Sequence, residues 1–268
     1  MSFLPPKEIA ETALTIGEKK GKMTVSAIFW PGILAGAYIA FAALACLTVS
    51  AGWVGDWAAS GLNKAAGAAV FAVGLMMVVI AGAELFTGNN MYVAVSFFAG
   101  RTRALELVRN WTAVFFTNFI GALVLAAIVY WGGYLFQDGA LTAFGTKAVA
   151  VAETKVGYSW AAAFLRGVGC NWLVCVAVWM SVGAQDIAGK IFACFFPIFT
   201  FVLCGFEHSV ANMFFIPLGL LAAKGSVASL TLSAFFVRNL IPVTLGNIVG
   251  GGIFVAMFYY LTYLRAKK

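Results

Sequence analysis

The sequence contains little charge and almost no histidine. Charged residues make up 10% of the 268 residues and there is 1 histidine, whereas 63% of the residues are hydrophobic. An ordinary soluble domain is about 45–50% apolar and about 25% charged. A water-soluble chain of this length could not bury so much apolar surface, so the composition excludes a soluble enzyme, a disordered segment and a nucleic-acid-binding domain. The mean hydropathy of +0.96 instead indicates that most of the chain lies in lipid.

The cysteines and the histidine give no sign of a metal or cofactor site. No Cys-x-x-Cys pair occurs, and a haem held by two histidines is excluded because there is 1 histidine. Each cysteine falls inside an apolar run, which is typical of a small buried hydrophobic residue. These residues are Cys46, Cys170, Cys175, Cys194 and Cys204. The sequence therefore predicts no metal and no cofactor.

The first 25 residues lack the apolar core of a signal peptide, and we expect no cleavage there. They are rich in charge, and Ile9, Ala13 and Ile16 follow helical spacing. This pattern predicts a short interfacial helix within a cytoplasmic segment at 1–25.

Six apolar regions are long enough to cross a membrane, which needs about 20 residues. They lie at roughly 26–50, 66–99, 108–136, 159–183, 188–222 and 233–264. An even number of spans places both termini on one side, and that side then holds more Lys and Arg than the other. Because cytoplasmic loops carry an excess of positive charge, we expect both termini in the cytoplasm. The predicted organisation is one transmembrane channel domain at 26–264, with a loop at about 137–158, followed by a cytoplasmic tail at 265–268.

Two short motifs occur twice, in the same order. Residues 82–89 and 205–212 both read G-x-E-x-x-x-x-N and lie 123 residues apart, in the second and fifth regions. Residues 118–121 and 247–250 repeat Asn-x-x-Gly in the third and sixth, whereas the first and fourth regions show no convincing match. Since three spans make an odd number, the second half must run inverted. Inverted repeats with broken helices are a recurring transporter architecture, so we predict an all-α membrane fold of six helices, with breaks in helices two and five.

The break motifs hold the acidic residues of the apolar regions. Glu84 and Glu207 occupy the same repeat position, and His208 follows the second of them. A charge at membrane depth is costly, which makes such a residue a functional candidate. For both glutamates a structural role is the open alternative, in which each carboxylate accepts hydrogen bonds from backbone N–H groups that the break frees. For His208 we favour a functional role, because imidazole gains and loses a proton near neutral pH.

Each break starts a new helix inside the membrane, and the N-terminus of a helix is locally positive. Thr87 and Ser209 stand where N-cap residues are expected. Two such ends that meet near the membrane centre would favour a small anion, to which the Thr87 hydroxyl and the His208 imidazole could add hydrogen bonds. The sequence therefore predicts an anion pathway.

Large apolar residues surround the predicted breaks. They are Phe71, Leu75, Leu85, Phe86, Val174 and Phe201. An apolar constriction blocks hydrated ions, but a weak-acid anion can cross it in protonated form, with His208 as the candidate proton donor. Ordinary helix packing is the alternative for each of these residues.

Four stretches resemble the formate/nitrite transporter family. They are 83–87 (AELFT), 170–175 (CNWLVC), 205–213 (GFEHSVANM) and 239–250 (NLIPVTLGNIVG). The resemblance covers most of the chain, from the first span to the sixth. It implies an aquaporin-like fold, a homopentamer with one pore in each protomer, and passage of small monovalent anions such as formate, nitrite, hydrosulfide or lactate.

The resemblance also implies roles for individual residues. By motif position, the anion pathway contains Thr87, Lys155, Asn171, Glu207, His208 and Asn212. Lys155 would attract the anion from outside, although a lysine in a loop is ordinarily just solvated. Leu85 and Phe86 match pore-narrowing positions, whereas the other constriction residues match by spacing alone.

We therefore expect a passive or proton-linked pathway for small weak-acid anions across the inner membrane of a bacterium or archaeon. Formate is the first candidate, and nitrite or hydrosulfide are the alternatives. The sequence does not separate a channel from a proton-coupled transporter. A membrane enzyme is the remote alternative, because Ser209 adjoins His208 and would face elsewhere, so no Ser–His pair is evident.

Overall fold

The computed structural model describes residues 3–57 and 60–265, and over these ranges it is mostly helical. The predicted tail at 265–268, apart from Arg265, lies outside the described residues. The helices run in the order α1 (Pro6–Lys22), α2 (Val25–Ser50), α3 (Gly61–Phe71), α4 (Val73–Ala81), α5 (Phe86–Phe98), α6 (Ala104–Trp131), α7 (Ala143–Val156), α8 (Trp160–Gly183), α9 (Ile187–Leu203), α10 (Ser209–Ala223) and α11 (Ile241–Val249).

Smaller elements complete the described chain. A short 3₁₀ turn spans Gly55–Trp57, and strands β1 (Phe136–Gln137) and β2 (Ala140–Leu141) form a two-residue antiparallel hairpin. Around α11, the last span also contains wider π-helical turns at Ala234–Leu240, Gly250–Met257 and Tyr260–Leu264.

Five helical stretches of the described chain are long and apolar enough to cross a membrane. They are Val25–Ser50, Gly61–Ala81, Ala104–Trp131, Trp160–Gly183 and Ala234–Leu264. The predicted fifth span is divided between α9 and α10, each of which is shorter. The all-α membrane fold predicted from the sequence is therefore confirmed.

Two further helices pack against the membrane helices. The predicted interfacial helix is α1, in which Gly17 lies against the backbone of Tyr92 on α5. The stretch at about 137–158, expected as a loop, contains α7, where Ala152 packs against Gly219 of α10. Its alanines and valines form an apolar face, which the sequence interpretation overlooked because the segment is shorter than a span.

Both predicted breaks are present in the structure. Helix α4 ends at Gly82, which has a φ of 83°, and α5 begins at Phe86. After α9 the chain turns at Gly205, with a φ of 68°, and α10 begins at Ser209. Glycine adopts this left-handed backbone conformation without steric cost, so the repeated glycine ends the first half of each broken helix.

One asparagine holds each break together. The Nδ2 of Asn118 donates to the carbonyl oxygens of Gly32 and Glu84, both at 2.8 Å, and its Oδ1 accepts from the Phe86 N–H at 2.9 Å. The bonds to Glu84 and Phe86 satisfy backbone groups that the break leaves without helical partners, and the bond to Gly32 ties the break to α2.

The same arrangement occurs at the second break. The Nδ2 of Asn247 donates to the carbonyl oxygens of Gly167 and Glu207, at 2.8 and 3.0 Å, and its Oδ1 accepts from the Ser209 N–H at 2.9 Å. The asparagine of the repeated Asn-x-x-Gly motif is therefore the residue that stabilises each break.

The glycine of the same motif permits close helix packing. A Cβ at Gly121 would overlap the carbonyl oxygen of Ile33, and a Cβ at Gly250 would overlap that of Val168. Helix α6 therefore meets α2, and the last span meets α8, at backbone contact. Such contacts between small residues are common where helices associate in lipid.

The first and fourth spans correspond through their backbone rather than their side chains. The carbonyl of Pro31 accepts from the Glu84 N–H at 3.1 Å, and the carbonyl of Arg166 accepts from the Glu207 N–H at 3.2 Å. Since a carbonyl is present in every residue, this duplicated role leaves no trace in the residue types. The lack of a sequence match between these spans is explained in this way.

We expect Gly121→Ala to destabilise the protein, because the new methyl group would force α6 away from α2. Overpacking of this kind costs about 1–3 kcal/mol. The thermal unfolding midpoint of the purified protein in detergent should fall. The matched control is Gly61→Ala, at a position with nothing within 4 Å of the added Cβ. Equal unfolding midpoints for the two variants would contradict the packing argument.

Asn247→Leu should destabilise the protein more strongly, since it leaves the Glu207 carbonyl and the Ser209 N–H at the break without their partner. Each unsatisfied buried group costs about 1–3 kcal/mol. Thermal unfolding again measures the effect. Thr244→Val on the same helix is the control, because the buried Thr244 Oγ1 makes no hydrogen bond and can be replaced at little cost. A wild-type midpoint for Asn247→Leu would refute the role of this asparagine.

Candidate functional site

A lysine–glutamate pair lies beside each break. The Nζ of Lys20 is 2.5 Å from Oε1 of Glu84, and the Nζ of Lys155 is 2.8 Å from Oε1 of Glu207. Helix α1 supplies the first lysine and α7 the second. The Lys155 side chain is 13% exposed, so the alternative that it is a solvated loop lysine is wrong.

Asparagines complete the surroundings of each carboxylate. The Nδ2 of Asn89 donates to Oε2 of Glu84 at 2.8 Å, and the Nδ2 of Asn212 donates to Oε2 of Glu207 at 2.8 Å. The carboxylates thus bind an ammonium group and an amide side chain. The structural alternative, in which they accept bonds from freed backbone N–H groups, is wrong because Asn118 and Asn247 take that role at the two helix starts.

A second asparagine in each half connects the pair to its helix. Asn110 accepts from Asn89 at 3.0 Å and donates to the Lys20 carbonyl at 2.8 Å. Asn239 accepts from Asn212 at 2.7 Å and donates to the Lys155 carbonyl at 2.9 Å. The main chain of each lysine is therefore held in place together with its charge.

Sequence analysis missed Lys20, Asn110 and Asn239. A signal for Lys20 is present, because Lys20 and Lys155 each stand four residues before a hydroxyl residue that caps the next helix. Thr24 accepts from the Ala27 N–H at 3.3 Å, and Ser159 does the same for α8. The two asparagines also carry a signal, because Val-Arg-Asn occurs at 108–110 and again at 237–239, with the same displacement as the Asn-x-x-Gly motif.

Thr87 and His208 meet between the two breaks. Oγ1 of Thr87 is 3.1 Å from Nε2 of His208, and both residues are buried. Nδ1 of His208 accepts a hydrogen bond from the Ala211 N–H at 3.2 Å. Since a neutral imidazole carries one proton, Nε2 bears it and donates to Thr87, whose own hydroxyl proton remains available to a third group.

The predicted caps of the two inner helices are wrong. His208 caps α10 through Nδ1, and Leu85 precedes α5 without a capping side chain. Thr87 and Ser209 lie within the first turns of α5 and α10 instead. The chain forms helix one or two residues earlier than the capping preferences indicate, because Asn118 and Asn247 bind the first N–H groups.

Asn171 holds the backbone beside the Thr87–His208 contact. Its Nδ2 donates to the carbonyl of Thr87 at 3.1 Å and to the carbonyl of Asn247 at 2.7 Å. It joins the two breaks across the protein, and it is fully buried. Asn171 therefore positions the Thr87 backbone and lines neither of the cavities described next.

Two cavities approach the breaks. The Lys155 cavity has a volume of about 340 Å³ and is lined by residues that include Lys155, Glu207 and His208. The Lys20 cavity has a volume of about 400 Å³ and is lined by Lys20 and Glu84 among others. Among the described residues none lines both cavities, so the two spaces are separate in this conformation.

Four of the six predicted constriction residues line the cavities. Phe71 and Phe201 line the Lys155 cavity with their rings edge to face, 5.7 Å between centroids, and the Phe201 ring stacks on His208 at 6.0 Å. Leu75 and Leu85 line the Lys20 cavity. Of these apolar side chains, Phe201 packs directly on the imidazole of the Thr87–His208 contact.

The other two constriction residues lie elsewhere. Phe86 packs its ring against Phe115 of α6 with 5.2 Å between centroids, and Val174 is fully buried. Neither residue lines the Lys155 cavity or the Lys20 cavity. Helix packing, the alternative left open by the sequence, accounts for both positions.

Arg166 also has a structural role near the Lys155 cavity. Its Nη1 donates to the carbonyl of Gly205 at 2.7 Å, and its guanidinium lies 4.4 Å from the ring centroid of Tyr158. It thus pairs with a carbonyl that the end of α9 exposes.

Comparison with known proteins agrees with this geometry. A family model described as "Formate/nitrite transporter" matches residues 7–261. A relative from Methanothermobacter thermautotrophicus, named "Probable formate transporter", is 46% identical over 275 residues, which cover 98% of this chain and 98% of the relative. A relative from Haemophilus influenzae, named "Formate channel FocA", is 40% identical over 97% of this chain and 95% of its own length.

Solved structures have the same fold. One described as "Pentameric formate channel with formate bound" has a TM-score of 0.78 and 36% identity, covering 90% of this chain and 98% of that one. Another, described as "FNT family ion channel", has a TM-score of 0.85 and 26% identity, covering 95% of this chain and 98% of that one. The duplicated breaks, the buried threonine–histidine contact and the match along almost the whole sequence show that this chain belongs to the formate/nitrite transporter family.

Proposed function

We propose that this protein is a passive or proton-linked pathway for small monovalent weak-acid anions across a membrane, with formate as the first substrate. The observation that carries the proposal is the contact between Thr87 and His208, in which His208 lines the Lys155 cavity and Thr87 is next in the chain to Gly88, which lines the Lys20 cavity. Names of two relatives, a probable formate transporter and a formate channel, support formate.

The lysines bring the anion towards the breaks. Each ammonium group carries three donors, and one of them binds a glutamate. The remaining donors of Lys155 and Lys20 can hydrogen-bond an anion in the adjoining cavity. Because each lysine is paired with a carboxylate, the anion is attracted without being trapped by a full uncompensated charge.

The apolar residues favour the neutral form of the substrate. Moving an isolated carboxylate into an apolar medium costs tens of kcal/mol in the ideal limit. Protonating a carboxyl group with a pKa near 4 at pH 7 costs about 4 kcal/mol. Protonation is therefore the cheaper route past Phe71, Phe201, Leu75 and Leu85, and the Nε2–H of His208 with the Thr87 hydroxyl can hydrogen-bond the substrate in between.

We also propose the arrangement in the membrane. The duplicated bonds of Asn118 and Asn247 support two halves of inverted orientation within a transmembrane domain at 26–264. The distribution of Lys and Arg supports termini on the cytoplasmic side of a bacterial or archaeal inner membrane. A pentameric relative of similar structure supports a homopentamer.

We propose no enzymatic activity for the histidine. His208 directs Nε2 to Thr87, and Oγ of the neighbouring Ser209 is buried without a hydrogen-bond partner. The serine and the histidine therefore do not form the nucleophile and base pair that an intramembrane hydrolase needs.

The main test is uptake into proteoliposomes by the wild type and by His208→Phe. Formate, nitrite, hydrosulfide and chloride are compared across pH, with size-exclusion chromatography as the control for assembly. Wild-type protein should admit the weak-acid anions and exclude chloride. Removing a donor to a charged substrate costs about 1.5–3 kcal/mol, so formate flux through His208→Phe should fall about 10- to 100-fold.

Unchanged formate flux and selectivity in an intact His208→Phe protein would contradict the central role of the imidazole. Uptake of chloride at the rate of formate by the wild type would contradict the weak-acid mechanism itself. Passage in the protonated form carries a proton with each formate, so protons should enter in fixed ratio with formate. Formate entry without protons would show that the anion itself crosses and would contradict the protonation step.

Thr87→Val should lower formate flux about 10-fold, because it removes the hydroxyl while keeping the shape of the side chain. Thr87→Ser is the matched control, since it retains the hydroxyl, and it should keep most of the wild-type flux. Stopped-flow measurements on proteoliposomes of equal protein content compare the three proteins. Equal flux through the valine and serine variants would show that the hydroxyl has no part in passage.

A further inference from the structure

The two cavities differ in charge although the halves share their framework. The Lys155 cavity is lined by three lysines, Lys64, Lys147 and Lys155, and by one acidic residue, Glu207. Among the described residues that line the Lys20 cavity, one lysine faces one glutamate. After the two ion pairs are set aside, Lys64 and Lys147 leave the first cavity with an excess of positive charge.

The two additional lysines lie far from the break. Lys147, Ala150, Val151, Thr154 and Lys155 line the cavity from one face of α7. Lys147 precedes Lys155 by two helical turns, which places it about 12 Å farther along α7 at 1.5 Å per residue.

Lys64 is likewise separated, along its own helix, from the narrow end of the Lys155 cavity. It precedes Phe71 on α3, which places it about 10 Å from the ring that narrows the cavity. Both Lys64 and Lys147 are therefore at the rim of the Lys155 cavity. Glu153, the acidic residue of α7, lies outside the lining, and its Oε1 is 3.5 Å from the hydroxyl of Ser229.

The rim has no equivalent in the other half. Counting back from Lys147 by the separation between Lys20 and Lys155 reaches Thr12. Counting forward from Lys64 by the 123 residues that separate the two break motifs reaches Ile187. Neither counterpart is charged, and neither lines the Lys20 cavity. The additional charge therefore belongs to one face of the protein and is absent from the repeated framework.

We propose that Lys64 and Lys147 form a rim that concentrates small anions in the Lys155 cavity, so that this cavity fills at a lower anion concentration than the Lys20 cavity. The inference rests on the proposed function, because it assumes that a monovalent anion such as formate uses both cavities. Clefts lined by one sign of charge raise the local concentration of the opposite ion.

The rim changes the formate concentration at which flux saturates. It cannot change the ratio of inward to outward flux at low formate, because a passive pathway has no preferred direction there. With equal pH on both sides and no membrane potential, equal formate concentrations must give no net flux. The flux per unit concentration at low formate is therefore equal in both directions. A cavity that fills more readily lowers the half-saturating concentration on its own side.

The experiment measures half-saturation from each side. Formate flux is followed in right-side-out and inside-out vesicles from the same cells, which lack other formate pathways. Wild type is compared with Lys64→Gln/Lys147→Gln, at about 10 mM salt, where the Debye length is about 30 Å, and at about 1 M salt, where it is about 3 Å. Lys224→Gln is the matched control, because Lys224 follows α10 at the Lys147 end of α7, lies over the Phe136 ring and lines neither cavity.

At low salt we expect the wild type to saturate at a lower concentration from the Lys155 side. The double variant should raise that value about five-fold, and each single variant about two-fold. Half-saturation from the Lys20 side should stay at the wild-type value. At high salt the wild type and the double variant should converge, and Lys224→Gln should match the wild type throughout.

The proposal would be overturned if the double variant left the half-saturating formate concentration on the Lys155 side at the wild-type value. An equal shift of that concentration on both sides would overturn it as well. The proposal would also be overturned if the half-saturating formate concentration of the wild type on the Lys155 side did not change with salt, which is a measurement that needs no variant. In each of these cases wild-type formate flux persists, so the proposed function stands. Absence of formate flux through the wild type would instead overturn the proposed function together with this inference.

Discussion

The structure depends on satisfying backbone groups where two membrane helices are interrupted. Lipid offers no hydrogen bonds, and an unsatisfied N–H or carbonyl in hydrocarbon costs several kcal/mol. Asn118 and Asn247 meet this requirement from neighbouring helices, with two bonds each to the interrupted chain. Once the breaks are held in this way, α5 and α10 can begin inside the protein. The contact of Thr87 with His208 at 3.1 Å follows from that placement.

The same constraint explains why so many amides surround two charges. Breaking a buried ion pair by removing one partner costs about 3–5 kcal/mol, because an uncompensated charge remains. Here Asn89 and Asn212 bind the second oxygen of each carboxylate, which leaves the ammonium donors of Lys20 and Lys155 directed towards the cavities. A partly satisfied network would be less stable than an apolar core, so these asparagines are as necessary to the site as the charged residues.

The sequence predicted the helical membrane fold and the two breaks with Glu207 and His208, because polar residues in apolar spans are conspicuous, whereas Lys155 was named only through the family resemblance. It did not predict Lys20, which lies in a charged segment where one more lysine attracts no notice. The matching backbone roles of Pro31 and Arg166 were invisible, since they act through carbonyls that every residue has. Phe86 and Val174 were assigned to the constriction by position along the chain, but the direction of a side chain depends on the helix packed beside it. The capping preferences failed at Thr87 and Ser209 because asparagines from other helices bind the first N–H groups.

The framework is duplicated, but the layer between the breaks is not. The displacement of 123 residues pairs His208 with Leu85 and Thr87 with Val210, so the first half contributes the hydroxyl and the second half the imidazole. Each protomer consequently has a single threonine–histidine pair, with one member from each half. On the proposed pathway two solutes could not share that pair, so occupancy at this point would be limited to one. A fully symmetric protein would hold either two equivalent pairs or none.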